Sequence, residues 1–280
     1  MANYTAQDVK KLREETDAPM MECKAALDEA DGDFEKAKTI LREKGKAAAA
    51  KRADRTTSEG FVATAVSADG TAVGAVVLEC ETDFVAKNDG FREIANELAQ
   101  IFVANDPGTD PLQVAANGKT VGEIVESAVA KIRENIKISK AVRVTTDGKL
   151  AVYVHHDGKK GTIIEVVGNT APEAVEAARQ IAIQAVAFPP EFLTKDEVPQ
   201  SKIDHELEVE TQRAINEGKD EKIARNIAMG RINKEYLKKV VLLEQNFYKD
   251  EKISVAQFLK EHGHGANVKS FVPLAVGEGA

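Results

Sequence analysis

The predicted fold centres on the apolar stretch GAVVLE at residues 74–79, which is followed after one residue by the octapeptide ETDFVAKN at residues 81–88. GAVVLE has the length and composition of a buried strand, and the apolar spacing becomes helical at residues 91–103. A second apolar stretch, GTIIEV at residues 161–166, also leads into a helical pattern, at residues 173–186. Two units in which a strand precedes a helix predict an internally duplicated α+β core.

Each apolar stretch is predicted to belong to a β-hairpin, because Asp-Gly pairs stand between neighbouring apolar runs. Asp-Gly suits the positive φ angles of tight primed turns, and it occurs at residues 69–70, 147–148 and 157–158. The predicted strands are residues 61–66, 72–78, 142–145, 150–154 and 162–167. Between the two sets of strands, residues 91–103 and 121–134 predict two helices.

The start of the chain predicts a module of three short helices. Thr5 and Asp8 form a capping pattern at its beginning, Asp31-Gly32-Asp33 predicts a turn, and Gly45 predicts the end of the third helix. The predicted helices are residues 5–16, 20–30 and 34–44. The Ala-rich, basic segment that follows predicts a helical or semi-rigid linker, with contact to nucleic acid as the alternative.

The charged segment at residues 191–239 predicts an antiparallel helical hairpin that projects from the core. Its two helices are predicted at residues 196–217 and 219–239, joined around Gly218. The predicted apolar seam between them consists of Ile203, Leu207, Ile215, Ile223, Ile227 and Ile232. Two ordinary surface helices are the alternative.

The chain thus divides into six predicted segments and belongs to the α+β class. The segments are a three-helix module (1–45), a basic Ala-rich linker (46–59), a first core subdomain (60–135), the first part of a second core subdomain (136–190), the helical hairpin (191–239) and the closing part of the second subdomain (240–280). Within the closing part we predict a strand or apolar return at residues 240–243, a helix at residues 255–261 and a late strand at residues 271–274.

Composition disfavours several classes of protein. The chain has 280 residues, of which 43% are hydrophobic and 30% charged, with a formal net charge of -8. An acidic chain is a poor ligand for nucleic-acid phosphates, so a structured protein partner is favoured over direct nucleic-acid binding. The start has no basic segment followed by an apolar one, and the sequence has no apolar run of about 18 residues. We therefore predict a cytoplasmic protein without membrane contact.

The sequence contains no recognisable site for chemistry of its own. Neither the phosphate-binding pattern Gly-x-x-x-x-Gly-Lys-Ser/Thr nor the dinucleotide pattern Gly-x-Gly-x-x-Gly occurs. Cys23 and Cys80 lack zinc-site spacing, and alternation along a strand would point His155 and His156 to opposite faces. We therefore predict no metal, no cofactor and no small-molecule substrate. A binding protein is favoured, and an enzyme with an unrecognised site in the core is the alternative.

The octapeptide places the large apolar side chain of Phe84 where a hydrated turn is expected. Turns normally consist of Gly, Pro, Asn, Asp or Ser. An aromatic ring between Asp83 and Lys87 either packs beneath its own turn or is presented to another molecule. Taken alone, Phe84 favours the first interpretation, whereas the motifs around it favour the second.

Several motifs, in this order along the chain, closely resemble those of bacterial elongation factor Ts. They are LR (12–13), MMECKAAL (20–27), DGD (31–33), ETDFVAKN (81–88), GR (230–231), LLEQ (242–245) and Phe247. The likeness extends over residues 5–278, and MMECKAAL and ETDFVAKN are long enough to be specific. By this resemblance the sequence is identified as a member of that family.

The resemblance implies a ubiquitin-associated-like N-terminal module, a duplicated α+β core of two related subdomains and a protruding coiled coil. It also implies the activity of a guanine-nucleotide exchange factor for elongation factor Tu, the GTPase that brings aminoacyl-tRNA to the ribosome. Such a factor needs no cofactor and performs no covalent catalysis. A ribosome- or RNA-associated binding protein without exchange activity is the alternative function.

The resemblance assigns the central role to Thr82, Asp83, Phe84 and Val85. In the family, this segment inserts into the GTPase domain, and its Phe wedges between side chains near the magnesium and phosphate site. Phe84 is therefore the first residue expected to carry function. Asp83 is expected either to cap the following turn or to aim the ring and meet the partner directly.

The resemblance also implies two further contact regions. Met20 and Met21 match a family surface that meets the GTPase domain, and we expect one of them to be exposed, because adjacent residues cannot both face one small core. The polar residues that accompany them are Lys10, Arg13 and Lys24. His155 matches a histidine of the second subdomain that meets the GTPase's other domains, although the neighbouring His156 leaves the register ambiguous.

Overall fold

The computed structural model describes residues 3–16 and 18–278 of the chain. It contains both helices and strands in large proportion, in agreement with the predicted mixed class. The chain divides into two compact units. The first comprises the chain up to Ala65, Gly74–Val144 and the chain from Ala275 onward, and the second comprises Val66–Val73 and Thr145–Leu274.

Eleven α-helices lie within the described residues. They are α1 (Ala6–Thr16), α2 (Met20–Glu29), α3 (Phe34–Ala50), α4 (Asp83–Ala86), α5 (Asp89–Ala104), α6 (Val121–Ile132), α7 (Pro172–Ala187), α8 (Gln200–Asn216), α9 (Glu221–Arg231), α10 (Leu237–Val240) and α11 (Val255–His262). A π-helical turn, Ile232–Tyr236, connects α9 to α10. None of these helices is both long enough and apolar enough to cross a lipid bilayer.

The strands described by the structure form two larger sheets and two small ones. They are β1 (Glu59–Val66), β2 (Ala72–Cys80), β3 (Ala115–Ala116), β4 (Lys119–Thr120), β5 (Lys137–Thr145), β6 (Lys149–Val154), β7 (Lys160–Gly168), β8 (Asn246–Phe247), β9 (Asp250–Ser254) and β10 (Ala266–Ala275). The strand order is β1–β2–β5 in one larger sheet and β10–β7–β6 in the other. The predicted strands and the predicted helix positions in these regions are confirmed, with boundaries that differ by a few residues.

The centre of the first unit is β2, of which all nine residues are buried. On one face of β2, the side chains of Val76, Leu78 and Cys80 pack in a core that includes Phe91 and Phe102 of α5. This burial explains why the sequence of β2 is a continuous apolar run instead of an alternating one.

Helix α5 approaches β2 more closely than an ordinary side chain would allow. A Cβ atom added at Gly74 would lie 2.3 Å from the carbonyl oxygen of Ala99 and 2.4 Å from the amide nitrogen of Val103. Both neighbours are backbone atoms, which cannot rotate away. Glycine at residue 74 is therefore required by close backbone packing.

The second unit repeats this arrangement with different residues. β6 and β7 are antiparallel, with Leu150 opposite Glu165 and Val154 opposite Gly161. The helix that follows β7 covers the sheet with small and branched side chains, including Ala178 and Ile181. In both larger sheets the second strand of a hairpin is therefore central and a helix follows it directly.

The third strand of each larger sheet comes from later in the chain. β5 pairs beside β2, and β10 pairs beside β7. The sequence interpretation placed residues 142–145 with the second subdomain, because they directly precede its hairpin. In the structure these residues belong to the first sheet, since β10 occupies the corresponding position in the second.

Each central strand carries a buried glutamate. Glu79 accepts hydrogen bonds from the amide of Gly277 at 3.0 Å and from Thr57 Oγ1 at 3.1 Å, and Lys137 Nζ lies 3.4 Å away. Glu165 accepts hydrogen bonds from Lys269 Nζ at 2.9 Å and from Ser270 Oγ at 2.8 Å. A buried carboxylate is tolerated only when such partners replace its hydration.

The surroundings of Glu79 set its protonation. Burial alone would raise the pKa of this carboxyl group, but the hydrogen bonds from Gly277, Ser139 and Thr57, together with the charge of Lys137, outweigh burial and lower the pKa below its ordinary value. The pKa of Glu165 is lowered in the same way, because the Lys269 and Ser270 hydrogen bonds outweigh the effect of burial.

The N-terminal module has a small core of its own. Val9 and Leu12 of α1 pack against Cys23 and Leu27 of α2 and against Leu41 of α3. This part of the predicted helical pattern is confirmed, because these residues recur on one face of each helix.

Helix α3 does not end at Gly45, and that prediction is wrong. The helix continues to Ala50 and so includes the first residues of the predicted linker. A Cβ atom at residue 45 would lie 3.4 Å from the Cβ atom of Ala130 in α6. Close packing of α3 on α6 therefore outweighs the low helix propensity of glycine.

The helical hairpin of the second unit is held together mainly by small side chains. Leu207 and Ile232 of the predicted seam are buried, but Ile223 is half-exposed. The buried positions that the sequence interpretation missed are Ala214, Ala224 and Ala228. Alanine allows two helices to approach closely, so the larger isoleucine side chain is displaced to the surface.

The base of the hairpin is fixed by the LLEQ motif. Of the strand or apolar return predicted at residues 240–243, the structure contains the apolar return, because Leu242–Glu244 forms a short 3-10 helix next to an isolated bridge between Phe192 and Val241. The buried side chain of Gln245 donates hydrogen bonds to the carbonyl oxygens of Phe188 at 2.9 Å and Lys239 at 3.2 Å. These bonds connect the ends of α7 and α10.

We expect the Gly74→Ala variant to lose at least about 2 kcal/mol of unfolding free energy, because its new methyl group would overlap the backbone of α5. Chemical denaturation monitored by circular dichroism measures this change. Gly230→Ala is the matched control, because no described atom lies within 4 Å of a Cβ there and the residue is helical. That control should gain about 0.5–1 kcal/mol.

We expect the Glu79→Gln variant to be less stable than the parent by about 1–3 kcal/mol at pH 7, because a neutral amide accepts these hydrogen bonds less well. The folded-state pKa of Glu79 lies below the unfolded value near 4.5. The stabilisation is therefore complete above pH 4.5 and is lost as the pH falls through the folded-state pKa. The difference in unfolding free energy between parent and variant should therefore decrease as the pH falls below 4.5.

The measurement is unfolding free energy as a function of pH for both proteins. Glu97→Gln, at an exposed position of α5, serves as the control and should show no such gap. A constant gap from pH 7 to pH 3 would contradict this account of Glu79.

Candidate partner-binding site

Residues 83–86 form a single helical turn, α4, where the sequence interpretation expected a hydrated turn without a helix assignment. The side chain of Thr82 caps this turn by accepting a hydrogen bond from the amide of Val85 at 3.4 Å. Asn88 then caps α5 by accepting a hydrogen bond from the amide of Phe91 at 3.4 Å. The octapeptide thus encodes two helix starts in succession. Of the two roles expected for Asp83, the first, capping the turn, is performed by Thr82.

Phe84 points into solvent from α4. Its side chain is 83% exposed, whereas the next residues face inward: Val85 is half-buried and Ala86 is 5% exposed. Val85 and Ala86 pack against the core that contains β2 and α5. Phe84 therefore does not pin its own turn, and of the two interpretations only presentation to another molecule agrees with its exposure.

Asp83 directly precedes Phe84 in α4, and its side chain is 46% exposed. Its carboxylate forms an ion pair with Lys87 Nζ at 2.7 Å, four residues along the chain. An exposed pair of this kind contributes little to stability. Both charged groups are therefore placed where a partner that contacts Phe84 would also meet them.

The inner side of α4 is held by a residue that sequence reasoning missed. Glu134 accepts hydrogen bonds from the amides of Glu81 and Thr82, each at 3.0 Å, and from Thr82 Oγ1 at 2.6 Å. Glu134 is more than fifty positions away in the sequence, and it belongs to no motif that the sequence interpretation used. Only its place as the last residue of the predicted helix 121–134 could have drawn attention to it.

The thiol next to the turn is inert. Burial raises the pKa of Cys80 to about 12, and the nearby negative charge of Glu134 adds to the effect. Its Sγ donates a hydrogen bond to the carbonyl oxygen of Thr82 at 3.3 Å. Cys80 therefore remains protonated and serves as a small buried residue, as its place after an apolar strand predicted.

The two methionines of the N-terminal module are both exposed, Met20 by 54% and Met21 by 73%. The sequence interpretation expected one exposed methionine, and the structure exposes both, because the first turn of α2 extends beyond the core, whose α2 members are Cys23, Ala26 and Leu27. The accompanying polar residues are also exposed. They are Lys10, Arg13 and Lys24.

His155 lies at the tip of the second unit's hairpin, just after β6. Its Nδ1 atom is 3.0 Å from the hydroxyl oxygen of Tyr153, and its ring is half-buried, whereas His156 is exposed. The two imidazole rings are 4.2 Å apart at an angle of 62°. The strand ends at Val154, so the alternation argument does not apply and both rings lie together.

Three of the four basic residues of the predicted linker form contacts within the first unit. Lys46 Nζ lies 3.5 Å from Glu126, Arg55 Nη1 lies 3.3 Å from Glu81, and Arg52 donates to the carbonyl oxygen of Ala48 at 3.0 Å. This pairing weakens the alternative of nucleic-acid contact. Within residues 3–16 and 18–278, no three side chains of His, Cys, Asp and Glu come together as a metal-binding group.

Comparison with known proteins agrees with the resemblance found in the sequence. The family described as Elongation factor TS matches residues 81–278. Elongation factor Ts of Clostridioides difficile is 41% identical over 291 residues, covering 100% of this chain and 94% of the relative. Elongation factor Ts of Clostridium botulinum is 41% identical over 286 residues, covering 98% of this chain and 93% of the relative.

A relative from a different bacterial genus gives the same result. Elongation factor Ts of Aromatoleum aromaticum is 42% identical over 282 residues, covering 100% of this chain and 93% of the relative. Identity at this level over nearly the whole length of both chains, together with the family match, establishes membership. The chain therefore belongs to the elongation factor Ts family and is a translation elongation factor.

Proposed function

We propose that this chain is the guanine-nucleotide exchange factor for elongation factor Tu, and that α4 is the part that enters the GTPase near its magnesium and phosphate site. One observation carries the proposal: the ring of Phe84 is 83% exposed on a turn whose other residues are fixed. A large apolar side chain presented from a rigid base is typical of a central contact in a protein interface.

The proposed mechanism needs no chemistry from this chain. A factor that binds the nucleotide-free GTPase more tightly than the nucleotide-bound form weakens nucleotide binding by the same factor. Magnesium requires near-ideal octahedral coordination, so a displacement of about an ångström in a nearby helix of the GTPase weakens its ligation. Phe84 supplies the wedge for that displacement, and Asp83 is placed to meet the partner next to it.

Two further surfaces complete the proposed interface. The methionine surface, formed by Met20 and Met21, offers flexible thioether side chains that adapt to an apolar partner. Its charged border is formed by Lys10, Arg13 and Lys24. In the second unit, His155 is proposed as a separate contact, because Tyr153 holds its ring in place while His156 is free of that restraint.

The finer architecture is proposed to follow the family. We assign residues 1–45 to a ubiquitin-associated-like module and residues 191–239 to a coiled coil that projects from the body. The remaining predicted segments are the linker 46–59, the core subdomain 60–135 and the two parts of the second subdomain, 136–190 and 240–280. We further propose that the protein acts in the cytoplasm, without a cofactor and without covalent catalysis.

We expect the Phe84→Ala variant to slow GDP release from elongation factor Tu by about 10- to 100-fold, because burying a Phe at an interface contributes about 1.5–3 kcal/mol. Stopped-flow release of a fluorescent GDP at saturating factor measures the effect. Circular dichroism should show an unchanged fold, since the ring makes little contact within the chain.

The matched control is Phe188→Ala, which removes another exposed Phe from the second unit, where its side chain is 55% exposed. Its release rate should equal that of the parent. An unchanged rate for Phe84→Ala at saturating factor would rule out the wedge.

We expect the double variant Met20→Ala, Met21→Ala to raise the concentration of factor needed for half-maximal exchange by about tenfold, while the maximal rate stays near that of the parent. The reason is that this surface anchors the complex and does not touch the nucleotide site in the proposed mechanism. Met229→Ala, at a 43% exposed methionine of the hairpin, is the control. A lowered maximal rate with unchanged half-saturation would contradict the anchoring role.

A further inference from the structure

We infer that Glu134 is the positioning residue of the proposed exchange site: it holds α4 so that Phe84 is presented in one orientation. This inference rests on the proposed function, because Glu134 acts on exchange only through the ring. The observation behind it is the set of three hydrogen bonds that one carboxylate makes to the segment directly before Phe84.

The bonds of Glu134 are directed at the start of the turn. One oxygen, Oε2, accepts from the amides of Glu81 and Thr82, and the other, Oε1, accepts from the Thr82 hydroxyl group. Amides at the beginning of a helix have no partners within the helix. An ionised acceptor supplies stronger bonds than a neutral one, so the carboxylate fixes the backbone immediately before Asp83 and Phe84.

Hydrogen bonds between residues 81–82 and residues 134–135 run in both directions. The carboxylate of Glu81 accepts a hydrogen bond from the amide of Asn135 at 2.7 Å, while Glu134 accepts from the amide of Glu81. The buried side chain of Asn135 in turn donates to the carbonyl oxygens of Ala53 at 3.1 Å and Arg55 at 2.8 Å. Residues 81–82 and 134–135 are thus tied together from both directions and to the segment that follows α3.

A change of backbone direction at Arg133 places Glu134 next to residues 81 and 82. α6 ends at Ile132, and Arg133 adopts φ 67°, in the left-handed region that residues other than glycine rarely enter. This bend brings the chain out of the helix axis directly before Glu134. The guanidinium group of Arg133 meets the carboxylate of Glu22 in α2, next to the methionine surface. Adjacent residues therefore connect to both proposed contact regions of the first unit.

Positioning matters because the ring of Phe84 makes little contact within its own chain. If the ring became ordered only on binding, part of the binding free energy would be lost to the cost of ordering it. This ordering is already present in the free protein. Thr82 is hydrogen-bonded to Glu134, and Val85 and Ala86 pack in the core. Glu134 thus supplies preorganisation without approaching the partner.

The first test is a double-mutant cycle on the maximal rate of GDP release, with Glu134→Gln, Phe84→Ala and the combination. The amide side chain has one acceptor atom and places an NH2 group against donors. We expect Glu134→Gln to slow release by about tenfold in the parent and to have no further effect once Phe84 is absent. Equal slowing in both backgrounds would overturn the inference, because it would indicate a general structural effect.

The second test needs no partner. The sequence contains no tryptophan, so Phe84→Trp introduces a single fluorescent reporter at the presented position. Time-resolved anisotropy should show a larger amplitude of fast ring motion when Glu134→Gln is added. Unchanged anisotropy would overturn the inference independently of any exchange measurement.

The matched control is Glu123→Gln. Glu123 also accepts a backbone hydrogen bond, from Thr120 at 3.0 Å, but at the other end of α6. It should leave the maximal release rate and the tryptophan motion unchanged. Thr82→Val provides a second variant before α4, because it removes the hydroxyl group that donates to Glu134 and accepts from the amide of Val85, and it should change both readouts in the same direction.

The outcomes separate the two proposals. If Phe84→Ala leaves GDP release unchanged, the proposed function fails, while the anisotropy still reports whether Glu134 holds the turn. If Phe84→Ala slows release but Glu134→Gln and Thr82→Val do not, the wedge stands and the positioning role of Glu134 is refuted.

Discussion

All nine residues of β2 are buried, and the burial of this strand on both faces constrains the residues packed around it in the first unit. A strand with no solvent face must be apolar nearly throughout, so its one glutamate, Glu79, has to be paired completely. The same covering brings the backbone of α5 against Gly74. Because β2 and α5 are both fixed in this way, the short segment between them has little freedom, and α4 is presented at the end of the sheet.

The presented turn shows how a folded chain can keep a large apolar side chain exposed to water. The residues around Phe84 make their contacts within the protein: Thr82 forms a hydrogen bond with Glu134, and Ala86 packs in the core. Among the four residues of α4, Phe84 is the one with a mostly exposed side chain. A single exposed ring is too small a patch to drive unspecific association, so the apolar area is kept available for one complementary site.

The main elements were predictable from the sequence because their patterns are local. The apolar run of β2, the helical spacing of α5 and the capped motif before it each lie within a short window. Phe84 could be singled out because it is an unusual residue in a turn. Glu134 could not, since its role depends on a contact with residues more than fifty positions earlier. The sheet assignment of β5 likewise depends on which distant strand fills the neighbouring edge.

The continuity of α3 through Gly45 changes how the two proposed contacts of the first unit act together. Its 17 residues form a rod about 25 Å long, and its packing near Ala130 joins the N-terminal module to the core without a flexible tether. A flexible tether would let the module search a volume that grows with linker length. In the proposed complex, a rod holds the methionine surface at a fixed distance from Phe84, so its effective concentration is set by helix geometry. On the proposed function, the chain would therefore bind its partner as a preassembled bivalent ligand.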